Sequence, residues 1–215
     1  MITLHYFPSN ASFAPHVLLE ELGQPFKLQI VLRDEGAHKT PEYLKLNPNG
    51  LIPVMQDGDL VLYEVAAILL HLADTHPTAQ LAPAVGTPER AQFYKWLIWL
   101  TNSLQPLIIG YYYPERWVDE GNADGVAQVK KHAELRAGPL LDQLDALLAS
   151  HGGPWLLGEQ FTVADPLAFM LCRWTRNFAR PARSLAAIGP YLQRMLARPA
   201  VQRAIATEKL PQPWV

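Results

Sequence analysis

Apolar and polar positions change period several times along the first third of the chain. Ile2 to Phe7 reads as a short strand. Phe13, Val17, Leu18 and Leu22 recur at helical spacing, and Gly23 stands where a helix C-terminus takes a left-handed residue. Phe26 to Leu32 reads as a second strand, and Pro41 to Leu46 as a short helix. Leu51 to Gln56 and Leu60 to Tyr63 read as strands on either side of Gln56-Asp57-Gly58-Asp59, a hairpin turn by composition. Val65 to Ala73 is an apolar helix. The order βαβ, helix, β-hairpin, helix predicts an α/β domain with parallel and antiparallel strands in one sheet.

The pattern then shifts. His76 to Pro88 carries Pro77, Pro83, Gly86 and Pro88 and reads as a linker between domains. Beyond it no strand pattern appears. Thr87-Pro88-Glu89 is a helix start, with Thr as N-cap and Pro at the first helical position. Phe93, Trp96, Leu97, Leu100, Leu104 and Leu107 form one helical stripe. A second long helix spans about Asn122 to Ser150, with Leu140, Leu141, Leu144, Leu147 and Leu148 inward, and Gly152-Gly153-Pro154 ends it. Thr162-Val163-Ala164-Asp165 resembles a capping box with Asp in the place of Glu. The helix that it opens, through Trp174, is apolar nearly all round, as a helix central to a bundle is. The predicted organisation is residues 1–76 as the α/β domain, 77–87 as linker and 88–215 as an all-helical domain.

Composition supports an ordinary globular chain. Hydrophobic residues make up 49% and charged residues 18% of 215, enough to bury a sizeable core. The formal net charge is -2 and no arm or stripe of Lys/Arg occurs, which argues against a nucleic-acid partner. The most apolar window, Trp96 to Tyr113, is interrupted by Thr101, Asn102, Ser103, Gln105 and Pro106, which argues against a membrane span. One cysteine, Cys172, permits no internal disulfide and fits a reducing compartment; with no signal-peptide pattern at Met1 to Tyr6, a cytoplasmic location is expected. The seven His residues show no metal-ligand spacing and no Gly-rich phosphate loop is present, so no metal is expected.

Three local patterns stand in order over almost the whole chain. The first is Tyr6-Phe7-Pro8-Ser9-Asn10-Ala11-Ser12-Phe13-Ala14-Pro15-His16. The second is Asn47-Pro48-Asn49-Gly50-Leu51-Ile52-Pro53-Val54, followed by Leu62-Tyr63-Glu64-Val65. The third is Trp155-Leu156-Leu157-Gly158 running into Phe161 to Asp165. Together they make the chain resemble the cytosolic glutathione transferases, in a bacterial, beta/theta-like form. The resemblance implies a thioredoxin-like N-terminal domain with a mixed four-stranded sheet, then an all-helical C-terminal bundle. It further implies glutathione as co-substrate, a hydrophobic electrophilic small molecule as partner, and a homodimer.

By the same resemblance, Ile52 and a cis Pro53 meet the cysteinyl unit of glutathione. Glu64 and the N–H of Val65 meet the γ-glutamyl end, at a helix N-terminus suited to an anion. His38 and Lys39 meet the glycine carboxylate. Val65 departs from the usual Ser after the Glu, and the loss of one hydroxyl donor weakens binding by roughly 0.5–1.5 kcal/mol. Ala11 stands where the beta class carries Cys, and Gln105 where it carries His, so a mixed disulfide through the protein is not expected. Cys172 lies mid-helix in an apolar run and reads as core.

The chemistry required is thiol activation. A free thiol has a pKa of about 8.5, and lowering it by ~2 units takes roughly 2.7 kcal/mol. One charge-assisted hydrogen bond, about 1.5–3 kcal/mol, nearly suffices, and a helix N-terminus adds roughly 0.3–1 kcal/mol. Ser12 sits where the N-cap of the first helix belongs, with Pro15 in the first turn; a capping Ser accepts from a backbone N–H and keeps its own proton for a thiolate. Tyr6, at a strand end, is the second candidate, resembling the tyrosine-type classes; if neither holds the thiolate, backbone N–H groups or Asn10 must. Tyr111-Tyr112-Tyr113-Pro114-Glu115-Arg116-Trp117, with Trp99 and Asn102 upstream, is the expected second-substrate surface, since apolar walls with few polar groups suit hydrophobic electrophiles. Two other functions are compatible with these residues: a glutathione- or partner-binding protein with little activity, and a glutathione-dependent isomerase or peroxidase.

Overall fold

The computed structural model describes residues 1–215, which form two compact units. One comprises Met1–Ala82 and Met195–Trp214, the other Pro83–Arg194 and Val215.

The first unit contains β1 (Ile2–Tyr6), α1 (Phe13–Leu22), β2 (Phe26–Ile30), α2 (Pro41–Leu46), β3 (Val54–Asp57), β4 (Leu60–Tyr63) and α3 (Val65–Thr75). The sheet runs β2-β1-β3-β4; β1 is parallel to β2, and β3 is antiparallel to β1 and β4. This is the thioredoxin-like layout with a mixed four-stranded sheet. Its core is Leu4, Val54 and Met55 of the central strands against Phe13, Val17 and Leu18 of α1 and Ile68, Leu69 and Leu72 of α3, all buried. Gly23 takes the left-handed cap of α1 (φ 64), and its N–H returns to the Leu19 carbonyl at 3.3 Å. The hairpin turns at Gly58 (φ 58), as the Asp-Gly pair predicts.

β1 and β2 end at Tyr6 and Ile30, short of the expected Phe7 and Leu32, and the largest difference is at the third strand. The third strand begins at Val54 rather than Leu51, because Pro53 has no N–H to give a ladder. Residues 51–53 are held by side chains instead. The Tyr43 hydroxyl and the Asn47 amide both donate to the Leu51 carbonyl, at 2.8 and 2.9 Å.

The C-terminal helix α9 (Pro199–Thr207) packs on α1 within this unit. Arg198, at its N-terminus, forks onto both carboxylate oxygens of Glu21 (2.5 and 2.8 Å), and Arg203 meets Glu20 (2.6 Å). A bidentate fork fixes geometry as well as adding energy.

The second unit is helical: α4 (Pro88–Trp99), α5 (Gln105–Tyr112), α6 (Ala123–His151) and α7 (Ala164–Trp174), with α8 (Ile188–Ala197) starting in it. Thr87 caps α4, its hydroxyl accepting from the Arg90 N–H at 3.2 Å. Every residue of α7 from Ala164 to Arg173 is buried, as an all-round apolar helix requires. Cys172 is among them, and burial pushes its thiol up to about 12. No helix is long and apolar enough to cross a membrane.

The single stripe predicted for residues 93–107 is interrupted. Leu100–Leu104 is a π-helical turn, closed by the Gln105 N–H on the Leu100 carbonyl. Pro106 is the physical reason: it has no N–H and its ring crowds the carbonyl four residues back, so the helix widens ahead of it.

Asp165 fixes the start of α7. Its carboxylate accepts from the backbone N–H groups of Leu156 and Thr162, both at 2.8 Å, and from the Tyr191 hydroxyl at 3.2 Å. The reciprocal half of the expected box differs: the Thr162 hydroxyl accepts from Ala164 N–H (3.3 Å), and Asp165 N–H goes to the Thr162 carbonyl (3.0 Å). Burial raises the Asp165 carboxyl to about 6, against the opposing pull of these donors.

Candidate functional site

Three segments of the first unit carry the polar groups singled out in the sequence. The first is the turn from β1 into α1. Ser9 has φ 64, a left-handed conformation uncommon for a residue with a side chain. Asn10 Oδ1 accepts from the Ala11 N–H at 2.7 Å. Ser12 occupies the N-cap position of α1 but makes no side-chain cap. Its hydroxyl donates to the Phe7 carbonyl at 3.1 Å and accepts from the Phe7 N–H at 3.3 Å. The expectation that Ser12 accepts from the helix and keeps its proton free is therefore corrected: that proton already has an acceptor, and the residue is fully buried. The Tyr6 hydroxyl has no hydrogen-bond partner in the chain. Burial first, and then the charge of Glu208, raise its pKa, so the phenol keeps its proton.

Glu208 was not singled out by the sequence. Its buried carboxylate accepts from the Ser9 N–H at 2.9 Å through one oxygen and lies 2.8 Å from His16 Nδ1 through the other. A carboxylate can only accept, so His16 Nδ1 carries the proton. This one side chain fixes the β1–α1 turn, α1 and the end of α9 together. Nothing local in the sequence marks it, since a Glu just past a helix end reads as solvated.

The second segment leads into β3. Asn47 is buried and braces the loop: its Oδ1 accepts from the Asn49 N–H at 3.0 Å, while its amide holds the Leu51 carbonyl. The Ile52–Pro53 bond is cis. Gly50 has φ 60, and a Cβ there would stand 3.0 Å from the His38 carbonyl. Only glycine fits both constraints. This close approach sets the turn Ala37–Lys39, with half-buried His38 and exposed Lys39, beside the Ile52–Pro53 loop.

The third segment is the entry to α3. Glu64 has φ 74, and for a residue with a long side chain that conformation persists only where the surroundings impose it. The Glu64 side chain is exposed, does not cap the helix and has no ion-pair partner. The Val65 and Ala66 N–H groups fall in the first turn, where a helix has no internal acceptors for them. Helix dipole, free N–H groups and a free carboxylate meet at one point. Such a point offers an anion and an ammonium separate partners.

In the second unit, α5 ends in Tyr111 and Tyr112, and Tyr113 is its C-cap. The Tyr111 ring packs on Phe178 at 4.6 Å and its hydroxyl donates to the Asn177 carbonyl; the Tyr112 hydroxyl donates to the Trp174 carbonyl at 2.6 Å. Arg116 lies over the Tyr113 ring at 4.1 Å, and Trp117 is exposed. Trp99 is half-buried, edge-on to Trp96 at 5.1 Å.

Residues 8–75 match the N-terminal domain of the glutathione S-transferases, and residues 115–208 match their C-terminal domain. The chain belongs to the glutathione S-transferase family. It is 32% identical to glutathione S-transferase GST-4.5 of Xanthomonas campestris, over 96% of this chain and 98% of that one. It is 30% identical to glutathione S-transferase GstA of Escherichia coli O157:H7, with the same coverage. Among solved structures, the glutathione S-transferase of Xylella fastidiosa superposes with a TM-score of 0.88 at 30% identity, covering 98% of this chain and all (100%) of the other. A sphingomonad glutathione S-transferase complexed with glutathione superposes at 0.82 and 29% identity, covering 97% and 100%. The transferase family assignment thus rests on both domains, and structural relatives of this chain bind glutathione.

Proposed function

We propose that this chain catalyses attack of the glutathione thiolate on a hydrophobic electrophile. The observation that carries the reading is Glu64: an exposed, unpartnered carboxylate in a φ 74 conformation, set against the open N-terminus of α3. The γ-glutamyl end of glutathione is a zwitterion. Its carboxylate suits the Val65 and Ala66 N–H groups, and its ammonium suits Glu64. Ile52 and Pro53 then flank the cysteinyl unit, and His38 and Lys39 meet the glycine carboxylate. The complex of the sphingomonad relative with glutathione supports this assignment of ligand.

Tyr6 and Ser12 are the candidates for holding the thiolate. The Tyr6 hydroxyl is uncommitted, whereas Ser12 must exchange its Phe7 acceptor for sulfur. The second substrate rests on the Tyr111 to Trp117 face. The working form is a cytoplasmic homodimer with a detoxifying role, as the family resemblance implies.

Initial-rate conjugation of glutathione to an activated aryl chloride, paired with titration calorimetry of glutathione, tests the reading. Wild type should bind and turn over. Glu64→Gln, which keeps the shape and loses the charge, should weaken glutathione by roughly tenfold or more, the value of a charge-assisted hydrogen bond. Binding without turnover on any electrophile would make the protein a glutathione binder instead. Absence of glutathione binding would overturn the reading altogether.

A further inference from the structure

The tyrosine face of the second unit has an unusual charge environment. Arg176 lies in the short 3-10 turn Thr175–Asn177 that follows α7. Arg176 is half-buried as a residue; its guanidinium donates to the Arg173 carbonyl at 3.3 Å and has no carboxylate in salt-bridge reach. A guanidinium has five N–H donors, and one backbone carbonyl takes only one of them. The remaining donors can take a carboxylate.

The surroundings fit an aromatic anion in particular. Burial raises the pKa of the Tyr112 phenol while the positive charges of Arg176 and Arg173 pull it back, so both cations act on this ring. Tyr111 stands 5.2 Å from Tyr112, and Lys130 Nζ lies 4.8 Å from the centre of the Tyr111 ring with no salt bridge of its own. The carboxylate that bears on Tyr111, Glu134, is spent on the Ala179 N–H. Tyr112, Tyr113 and Trp174 remain half-exposed. The exposed rings thus lie beside two cations without salt bridges, Arg176 and Lys130, and one carboxylate, Glu134.

We propose that Arg176 sets the specificity of the second-substrate surface by receiving the carboxylate of an aromatic acid whose ring lies against the part-exposed Tyr112 and Tyr113. The proposal rests on the transferase reading and names its substrate class: electrophiles of the haloarene carboxylate kind. In the reaction the thiol loses its proton to solvent on activation, the thiolate sulfur forms the C–S bond, and chloride leaves with the C–Cl electron pair. Arg176 takes no part in bond making; it holds the carboxylate away from the reacting carbon. A guanidinium suits this task because its planar fork matches a carboxylate.

Binding and turnover separate this proposal from the reading beneath it. Naphthalene-2-carboxylate and its neutral counterpart 2-naphthamide are titrated into the full chain by tryptophan fluorescence, with no glutathione present. Wild type should prefer the carboxylate by about tenfold, and raising the salt concentration should weaken the carboxylate alone. Arg176→Gln should abolish the preference while leaving glutathione affinity unchanged. The ratio of kcat/KM for 4-chloro-3-nitrobenzoate to that for 4-chloro-3-nitrobenzamide should fall about tenfold in the same variant, since intrinsic reactivity cancels in the comparison. Equal binding of the two naphthalenes by wild type overturns the proposal whether or not the variant folds, and so does a preference that survives Arg176→Gln. Loss of all conjugation, with the naphthalene preference intact, would instead count against the transferase reading.

Discussion

Glu208 gives the sharpest prediction about what holds the first unit together. Glu208→Ala removes the carboxylate that the part-buried Ser9 N–H and the buried His16 Nδ1–H both donate to. Taking the acceptor from a buried donor costs about 1–3 kcal/mol, and with the Ser9 hydrogen bond lost in the same change a loss of about 3 kcal/mol is expected. For a chain of this size each kcal/mol moves the melting point by about 2–4 °C, which gives a fall of roughly 6–12 °C. Glu208→Gln keeps one acceptor and should lose about half as much. Scanning calorimetry reads both values, and hydrogen exchange at the Ser9 amide reads the turn itself, which should exchange faster in either variant. A double-mutant cycle with His16→Ala should show coupling of about 1–3 kcal/mol. A melting point for Glu208→Ala within about 2 °C of wild type, or strictly additive single effects, would refute the argument that this carboxylate ties the turn to α1.

Asp165 carries a pH signature. Its carboxyl is raised from 3.8 to about 6 by burial, so between these values the folded chain holds a proton that the unfolded chain has lost. Its contribution to stability is therefore greatest below the unfolded value and declines as pH rises through about 6. Asp165→Asn should remove that slope and cost about 1–3 kcal/mol at neutral pH, because its amide nitrogen must face a backbone N–H; melts across that window check both, and an unchanged slope contradicts the assignment. Val65→Ser should tighten glutathione binding by about twofold to tenfold while lowering stability by about 1 kcal/mol, since it adds a donor at the proposed anion site and removes buried methyl groups. Calorimetry showing no gain would mean that the side chain at this position points into the core rather than toward the ligand.

The parts of this fold that were legible in the sequence are those written in short-range spacing. Gly23 after the first helical run, the Asp-Gly turn, Thr87-Pro88 and the Thr162 to Asp165 box each join residues only a few positions apart, where backbone geometry leaves little choice. The same holds for the loop before β3. The π-turn was less legible, because the stripe from Phe93 to Leu107 keeps its apolar positions through it, and only Pro106 signals the change. What depends on distant parts of the chain could not be read. Glu208 meets Ser9 and His16 from nearly the far end of the sequence, and its carboxylate gives no local sign of burial. Ser12 had the right position for a cap, but within the same turn the Phe7 carbonyl accepts its proton, a local choice that residue spacing does not reveal. Arg176 beside Tyr112 is of the same kind as Glu208, since two separate helical segments bring them together.

If glutathione binds the first unit and has its thiol activated there, the ionisation of that thiol reports it without intermediary. Thiolate absorbs in the far ultraviolet where thiol does not, so a difference spectrum of bound against free glutathione, taken across pH, gives the pKa of the bound sulfur. It should lie about 2 units below the free value of about 8.5. Tyr6→Phe should return it most of the way if the uncommitted phenol is the donor, and Ser12→Ala should do so if serine releases Phe7 on binding. A bound thiol that titrates at its free value in wild type would contradict the account.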